Sequence, residues 1–225
     1  MKVLVTRPEP DASRTAERLI AAGHEVVIAP LQEIRPLSIA KPEGEFDAVA
    51  ATSANALRHA SERIVADLAP LPCFVVGPET ARAARDAGFA DVRTGPGAAR
   101  GLVDIVRNTV MAGGRIAYLC GRQRKPDLEY CLGTAGFSIV AVEIYETAAV
   151  EKPADLIADG IDAALVYSVG AARRLSGAFG AFPAKTRFVC ISGDAAAALP
   201  AHWRQRATVA VRPDEEGLFE ALSRL

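Results

Sequence analysis

Neither sign of charge dominates this chain of 225 residues: 26 Lys and Arg stand against 27 Asp and Glu, a formal net charge of −1. No global field draws it to nucleic acid or to anionic lipid, so an anionic ligand must be held by local chemistry. Long hydrophobic runs are missing too. Stretches such as Ala163 to Val166 fall far short of the ~20 residues a membrane helix needs. The opening MKVLVTRP reads as one short strand rather than an extended signal-peptide core, which leads us to expect a cytoplasmic protein.

Cysteine and histidine are scarce and scattered. Cys73, Cys120, Cys131 and Cys190 form no CxxC pair, and His24, His59 and His202 form no zinc-spaced cluster. Free, mostly buried thiols and no metal site are expected. Several catalytic motifs are missing as well. There is no GxxxxGK[ST] and no GxSxG. TGPGAARG (94–101) holds GxGxxxG, but late in the chain and with the wrong spacing for a dinucleotide fingerprint. ATP, nicotinamide and serine-hydrolase readings are therefore weak.

What is present is a repeat. Short β-branched runs alternate with Ala/Leu/Arg segments of helical period, as in KVLVT, SRTAERLIAAG and EVVIAP, the pattern of βαβ units and a parallel sheet. FDAVAATSANALRHA (46–60) resembles IDAALVYSVGAARRL (161–175), 115 positions on. FVVGPETARAA (74–84) lies over VCISGDAAAAL (189–199), with Gly77 set against Gly193, and 91–106 lies over 207–222. Residues 2–27 lie over 115–140, aligning Leu19 with Leu132 and Gly23 with Gly136. The expectation is an α/β protein of two similar parallel-sheet domains of Rossmann or flavodoxin-like type. Segments 30–39 and 141–150 each alternate as strands do, and suit a two-stranded ladder in a crossed arrangement. The pattern itself leaves open whether each copy folds alone.

Open parallel sheets bind ligands beyond the carboxyl ends of their strands. The repeat names those loops as 6–10, 52–56, 77–80, 94–101, 120–125, 167–171, 192–196 and 212–216. They are rich in Gly, Ser, Thr, Asp and Pro, and so offer cap hydroxyls and free backbone N–H groups that suit carboxylates or phosphates. Ser, Thr and Asp also cap helices whatever the function. A local basic set, Arg122, Arg124 and Lys125, stands out in a neutral chain, although such a set also suits a plain solvated face. Tyr145 lies in the strand-like EIYET, where it either faces a cleft or packs in a core.

Together VLVTRPEPDASRTAERLIAAGHEVVIAPLQEI, DAVAATSANAL, FVVGPETARAARDAGF, CGRQRKPDLEYCLGTAGFSIVAVEIYET and RPDEEGLFEAL resemble the uroporphyrinogen-III synthase family over nearly the whole chain. The resemblance implies a bilobed, cytoplasmic, monomeric enzyme, with 1–36 plus 147–225 as one domain and 37–146 as the inserted other, joined by the β-ladder. It implies an active site between the lobes. There hydroxymethylbilane is closed to uroporphyrinogen III, with ring D inverted and water lost, without metal or cofactor. Hydroxymethylbilane synthase would hand the substrate over, and neither nucleic acid nor membrane takes part. By position, Tyr145 corresponds to the family tyrosine proposed as proton donor. Arg7, Thr52, Ser53, Ala54, Gly77, Thr80, Arg122, Lys125, Ser168 and Gly193 are the expected substrate contacts. Where many relatives read Gly-Pro-Thr-Thr, this chain has Gly193-Asp194-Ala195-Ala196, which argues against essential hydroxyls there. The competing reading is a non-catalytic two-lobed binder of a small polycarboxylate anion. A receiver-type domain is disfavoured, because the first strand ends in Thr6-Arg7 and not in paired Asp.

Overall fold

Period-two alternation sorts the strand residues onto two faces. In β1 (Lys2–Val5), Leu4 joins one buried apolar cluster with Phe188 and Trp203, whereas Val3 and Val5 join another with Leu19 and Leu218. In β4 (Ala48–Ala51), Val49 and Ala51 face one cluster and Ala48 and Ala50 a second. All four β4 residues are buried, as strands covered on both faces by helices must be. Each fully buried Leu or Phe contributes roughly 1.5–3 kcal/mol of burial free energy.

The computed structural model describes residues 1–40, 42–150 and 160–225. The remaining strands are β2 (Glu25–Ile28), β3 (Gln32–Pro36), β5 (Cys73–Val75), β6 (Val92–Thr94), β7 (Arg115–Gly121), β8 (Ser138–Ala149), β9 (Ala163–Val166), β10 (Arg187–Cys190) and β11 (Ala207–Val209). The chain divides into two compact units, Met1–Glu33 with Ala148–Leu225 (unit 1) and Ile34–Thr147 (unit 2).

Unit 1 is built on the sheet β11-β10-β9-β1-β2, parallel at every pairing. Taking strands in the order the repeat gives them, this is 2-1-3-4-5, the flavodoxin-like winding. Unit 2 has β8-β7-β4-β5-β6, parallel at each of those pairs, with β3 beside β8. Matched through the repeat, its order is the same. Register agrees as well: Val3 pairs with Ala163 in unit 1, and their counterparts Ile116 and Ala48 pair in unit 2. Both units therefore place the reversal of strand order, the ligand-binding point of such sheets, at equivalent strands: β1 and β9, and β7 and β4.

Two details differ from the sequence reading. The strand expected at 141–150 starts three residues earlier and ends one sooner, as the 12-residue β8. In unit 1 the equivalent run is broken at Ala29-Pro30-Leu31 between β2 and β3, where Pro30 has no N–H to give to a ladder. The pairing of Gly77 with Gly193 is also one residue out. Val75 pairs with Ala51, and its counterpart Cys190 pairs with Val166, which makes Ser192 the partner of Gly77. Gly77 caps the helix Pro78–Asp86 and Ser192 caps Gly193–Ala197, its Oγ accepting from the Ala195 N–H at 3.3 Å.

Candidate active site

The carboxyl ends of β4, β7 and β8 gather the richest polar set of unit 2. β4 runs into Thr52 and Ser53. Ser53 caps the short helix Ala54–Arg58, and its Oγ accepts from the Asn55 N–H at 3.2 Å. Ala54, the first helical residue, is buried. The phenol of Tyr145 donates to the same Ser53 Oγ at 3.2 Å. Ser53 thus receives two hydrogen bonds, and its own hydroxyl hydrogen has no acceptor among the described residues.

A bulge aims Tyr145. Cys120 pairs with Glu143 but Gly121 pairs with Tyr145, so β8 carries one extra residue, Ile144, at that step. Beyond it the Arg122 N–H donates to the Tyr145 carbonyl at 2.8 Å. The tyrosine ring lies over Gly121, where an added β-carbon would come within 2.7 Å of a ring carbon. Glycine is thus required there by close approach rather than by backbone conformation. Tyr145 is 8% exposed, and burial raises its pKa above the usual phenol value, with the Ser53 hydrogen bond acting the other way. It stays a neutral donor through the physiological range.

Beside it Thr52 Oγ1 and the Tyr118 hydroxyl are 2.8 Å apart. Tyr118 stands on β7 directly across from Ala50, fully buried, with its pKa pushed up to about 12 chiefly by burial. A tyrosine inside the apolar run RIAYLC reads from sequence as core, and only its Thr52 partner reveals a role in orienting a cap hydroxyl. Thr80 is buried in the helix that Gly77 opens, and the space over Gly77 is empty to 4 Å.

The basic loop after β7 is mostly matched internally. Arg122 meets Glu143 at 3.3 Å and Glu146 at 2.5 Å, and Arg124 meets Glu129 at 2.8 Å and Glu143 at 3.0 Å. Arg124 first, and Arg122 after it, hold the Glu143 carboxyl below its usual range. Lys125 is exposed and makes no ion pair among the described residues, so of the three it is the cation ready for an anion.

In unit 1, Arg7 is committed in the same way. Its guanidinium bonds Asp11 at 2.9 Å and Glu215 at 3.1 Å and lies 4.5 Å from the centroid of Tyr167. Ser168 caps the helix Val169–Ala178: its Oγ accepts from the Ala171 N–H at 3.0 Å and donates to Gln32 Oε1 at 3.1 Å. Gly193 begins its helix with open space around it. Unit 2 therefore brings together Tyr145, Ser53, Ala54 and Thr52, whereas Arg7 belongs to an ion-pair network of its own. The buried thiols Cys73, Cys120 and Cys190 are pushed up to about 12, 11 and 12, chiefly by burial, and are no nucleophiles. Among the described residues no three His, Cys, Asp or Glu side chains converge as metal ligands, and no helix is long and apolar enough to cross a membrane.

Two flavodoxin-like sheets, each with a capped serine at its switch point, define a class: a duplicated α/β protein that presents polar groups at strand carboxyl ends. The family model for uroporphyrinogen-III synthase HemD matches residues 13–220. The chain belongs to the uroporphyrinogen-III synthase family, whose members are enzymes of haem biosynthesis. Among solved structures it resembles the uroporphyrinogen-III synthetase of Helicobacter pylori, with 15% identity, TM-score 0.68, and 100% of this chain and 99% of that one covered. It also resembles a mutant uroporphyrinogen III synthase of the extremely thermophilic bacterium Thermus thermophilus, with 16% identity, TM-score 0.56, and 100% and 98% covered. No curated protein matched the sequence.

Proposed function

We propose that this chain closes hydroxymethylbilane to uroporphyrinogen III, a lyase reaction in which ring D is inverted and water is lost. It would act as a cytoplasmic monomer supplied by hydroxymethylbilane synthase. The observation that carries the reading is the Tyr145–Ser53 hydrogen bond at the switch point of unit 2, in a chain whose family model spans residues 13–220. The free bilane closes by itself to the symmetrical type I isomer. The enzyme therefore has two tasks: to hold the substrate in one folded geometry, and to assist departure of the hydroxyl.

Assistance needs a donor at the leaving oxygen. Tyr145 gives its hydrogen to Ser53, and Ser53 has its own hydrogen unspent, so the path favoured here runs from Tyr145 through Ser53 to that oxygen. The carbon–oxygen bond breaks as the pyrrole nitrogen lone pair forms a double bond toward the methylene carbon. The Ser53 hydrogen goes to the departing oxygen to make water, the Tyr145 hydrogen replaces it, and the proton released when the new carbon–carbon bond closes the ring returns to Tyr145. Holding the eight carboxylates falls to hydroxyls, loop N–H groups and cations. Thr52, Ala54, Gly77, Thr80, Lys125, Ser168 and Gly193 are the proposed contacts. Arg7 and Arg122 would have to exchange a carboxylate partner for the substrate.

The test is to generate hydroxymethylbilane in situ, add the purified chain, oxidise the products and separate the porphyrin isomers. Type III in excess over the enzyme-free control is the expected result. Type I alone from folded protein would refute the reaction.

A further inference from the structure

The repeat that matches Gly23 with Gly136 also matches Gln32 with Tyr145, and the one that matches 46–60 with 161–175 matches Ser53 with Ser168. The pair Gln32–Ser168 in unit 1 thus occupies the place of Tyr145–Ser53 in unit 2. The direction of the bond is reversed. Tyr145 donates to Ser53, whereas Ser168 donates to Gln32 Oε1. With its carbonyl oxygen fixed on Ser168, the Gln32 amide turns its Nε2 hydrogens away, and they have no acceptor among the described residues.

A cation stands beside them. Arg174, half-buried, donates from Nη1 to the Gly170 carbonyl at 3.2 Å and makes no ion pair among the described residues. Arg7, Arg122 and Arg124 each have two carboxylates. Gly170, lacking a side chain, lets both donors pack closely over its backbone. A β-carbon built there would stand 2.9 Å from Gln32 Nε2, 3.1 Å from Arg174 Nη1 and 3.3 Å from Gln32 Oε1, so the amide and the guanidinium are neighbours. Two neighbouring donors, one carrying a full charge, thus have no carboxylate partner among the described residues. That arrangement suits a carboxylate, which can accept from an amide and a guanidinium at once.

We propose that Gln32 and Arg174, with Ser168 fixing the amide, form a carboxylate-binding subsite in unit 1 that takes one acetate or propionate group of the substrate. The identity of that substrate rests on the function proposed above. Neither Gln32 nor Arg174 stands out in the sequence, and Ser168 gains a positioning role beyond its own contact.

Arg174→Leu, Arg174→Lys and Gln32→Glu variants of the full chain, each checked for folding by its thermal melt, would be compared with wild type in two assays. One is turnover of in situ bilane, and the other is binding of uroporphyrin I, a stable octacarboxylate, followed through the fluorescence of Trp203, the single tryptophan. Arg174→Leu and Gln32→Glu should each raise KM and the uroporphyrin Kd about tenfold with kcat within about twofold, and Arg174→Lys should recover most of the loss. Unchanged KM and Kd in both folded variants, with wild type making type III, would remove the subsite and leave the reaction standing. Weakened uroporphyrin binding in the variants, with wild type making only type I, would uphold the subsite and remove the reaction.

Discussion

The two units share strand order, register and a capped serine at the switch point, yet they use that serine differently. In unit 2 a buried phenol donates to Ser53 and leaves the serine hydrogen free. In unit 1 Ser168 donates to an amide and leaves the amide hydrogens free, next to a cation. One arrangement offers a hydroxyl hydrogen backed by a second one, which suits assistance to a leaving group. The other offers fixed N–H donors that cannot be given up, which suits holding an anion. A duplicated fold can thus divide bond breaking from binding by one exchange, Tyr for Gln, at the same position.

The most severe way to break the comparison is to remove the phenol and the serine of unit 2 together and singly. Tyr145→Phe and Ser53→Ala should each lower kcat for type III by about 100-fold, near the lower end of what a positioned proton donor supplies. Because they lie on one path, the double variant should be little worse than the worse single one. Fully additive losses in a double-mutant cycle would separate their roles. Ser53→Ala should also cost about 1 kcal/mol in thermal stability as a lost helix cap.

Next comes Gly121→Ala. Its β-carbon would press on the Tyr145 ring, so the ring must move off Ser53. About a tenfold loss in kcat is expected, with roughly 1–3 kcal/mol of destabilisation from overpacking. Wild-type kinetics would show that the ring position is unimportant. A smaller effect is expected from Tyr118→Phe, which frees Thr52 to turn: a few-fold rise in KM and about 1 kcal/mol from the lost hydrogen bond, read by urea titration.

The mildest prediction concerns alkaline stability. Tyr118 has its folded pKa pushed up to about 12 against ~10 in the unfolded chain. A raised pKa means that the folded state keeps its proton longer, so this stabilisation is fully present below about pH 10 and is lost as pH climbs toward about 12. Tyr145, also raised, acts in the same direction. Melting temperature should begin to fall above about pH 8.5, where thiols of the unfolded chain ionise while the buried Cys73, Cys120 and Cys190 keep their protons, and the further fall above about pH 10 should be less steep in Tyr118→Phe. A fall of equal slope in that variant would contradict the assignment to Tyr118.

The α/β class and the switch-point loops were legible because period and repeat are local properties of the chain. Tyr145 and Ser53 were legible as candidates, but not as a hydrogen-bonded pair, since 92 positions separate them. Tyr118 hid among apolar neighbours that read as core. Gln32 hid because a polar residue on a half-exposed strand reads as solvent face, and its partner lies 136 positions away. The slip of one residue at Gly193 has a physical reason too. Glycine was matched with glycine, whereas the fold matches cap with cap, and Ser192 does that work.

The most direct test of the division between the units is the isomer ratio from Tyr145→Phe and Gln32→Glu measured beside wild type at saturating bilane. Type III is expected from wild type and from Gln32→Glu, and a large shift to type I from Tyr145→Phe as spontaneous closure overtakes the slowed enzyme. Type III from Tyr145→Phe at the wild-type rate and proportion would contradict that division.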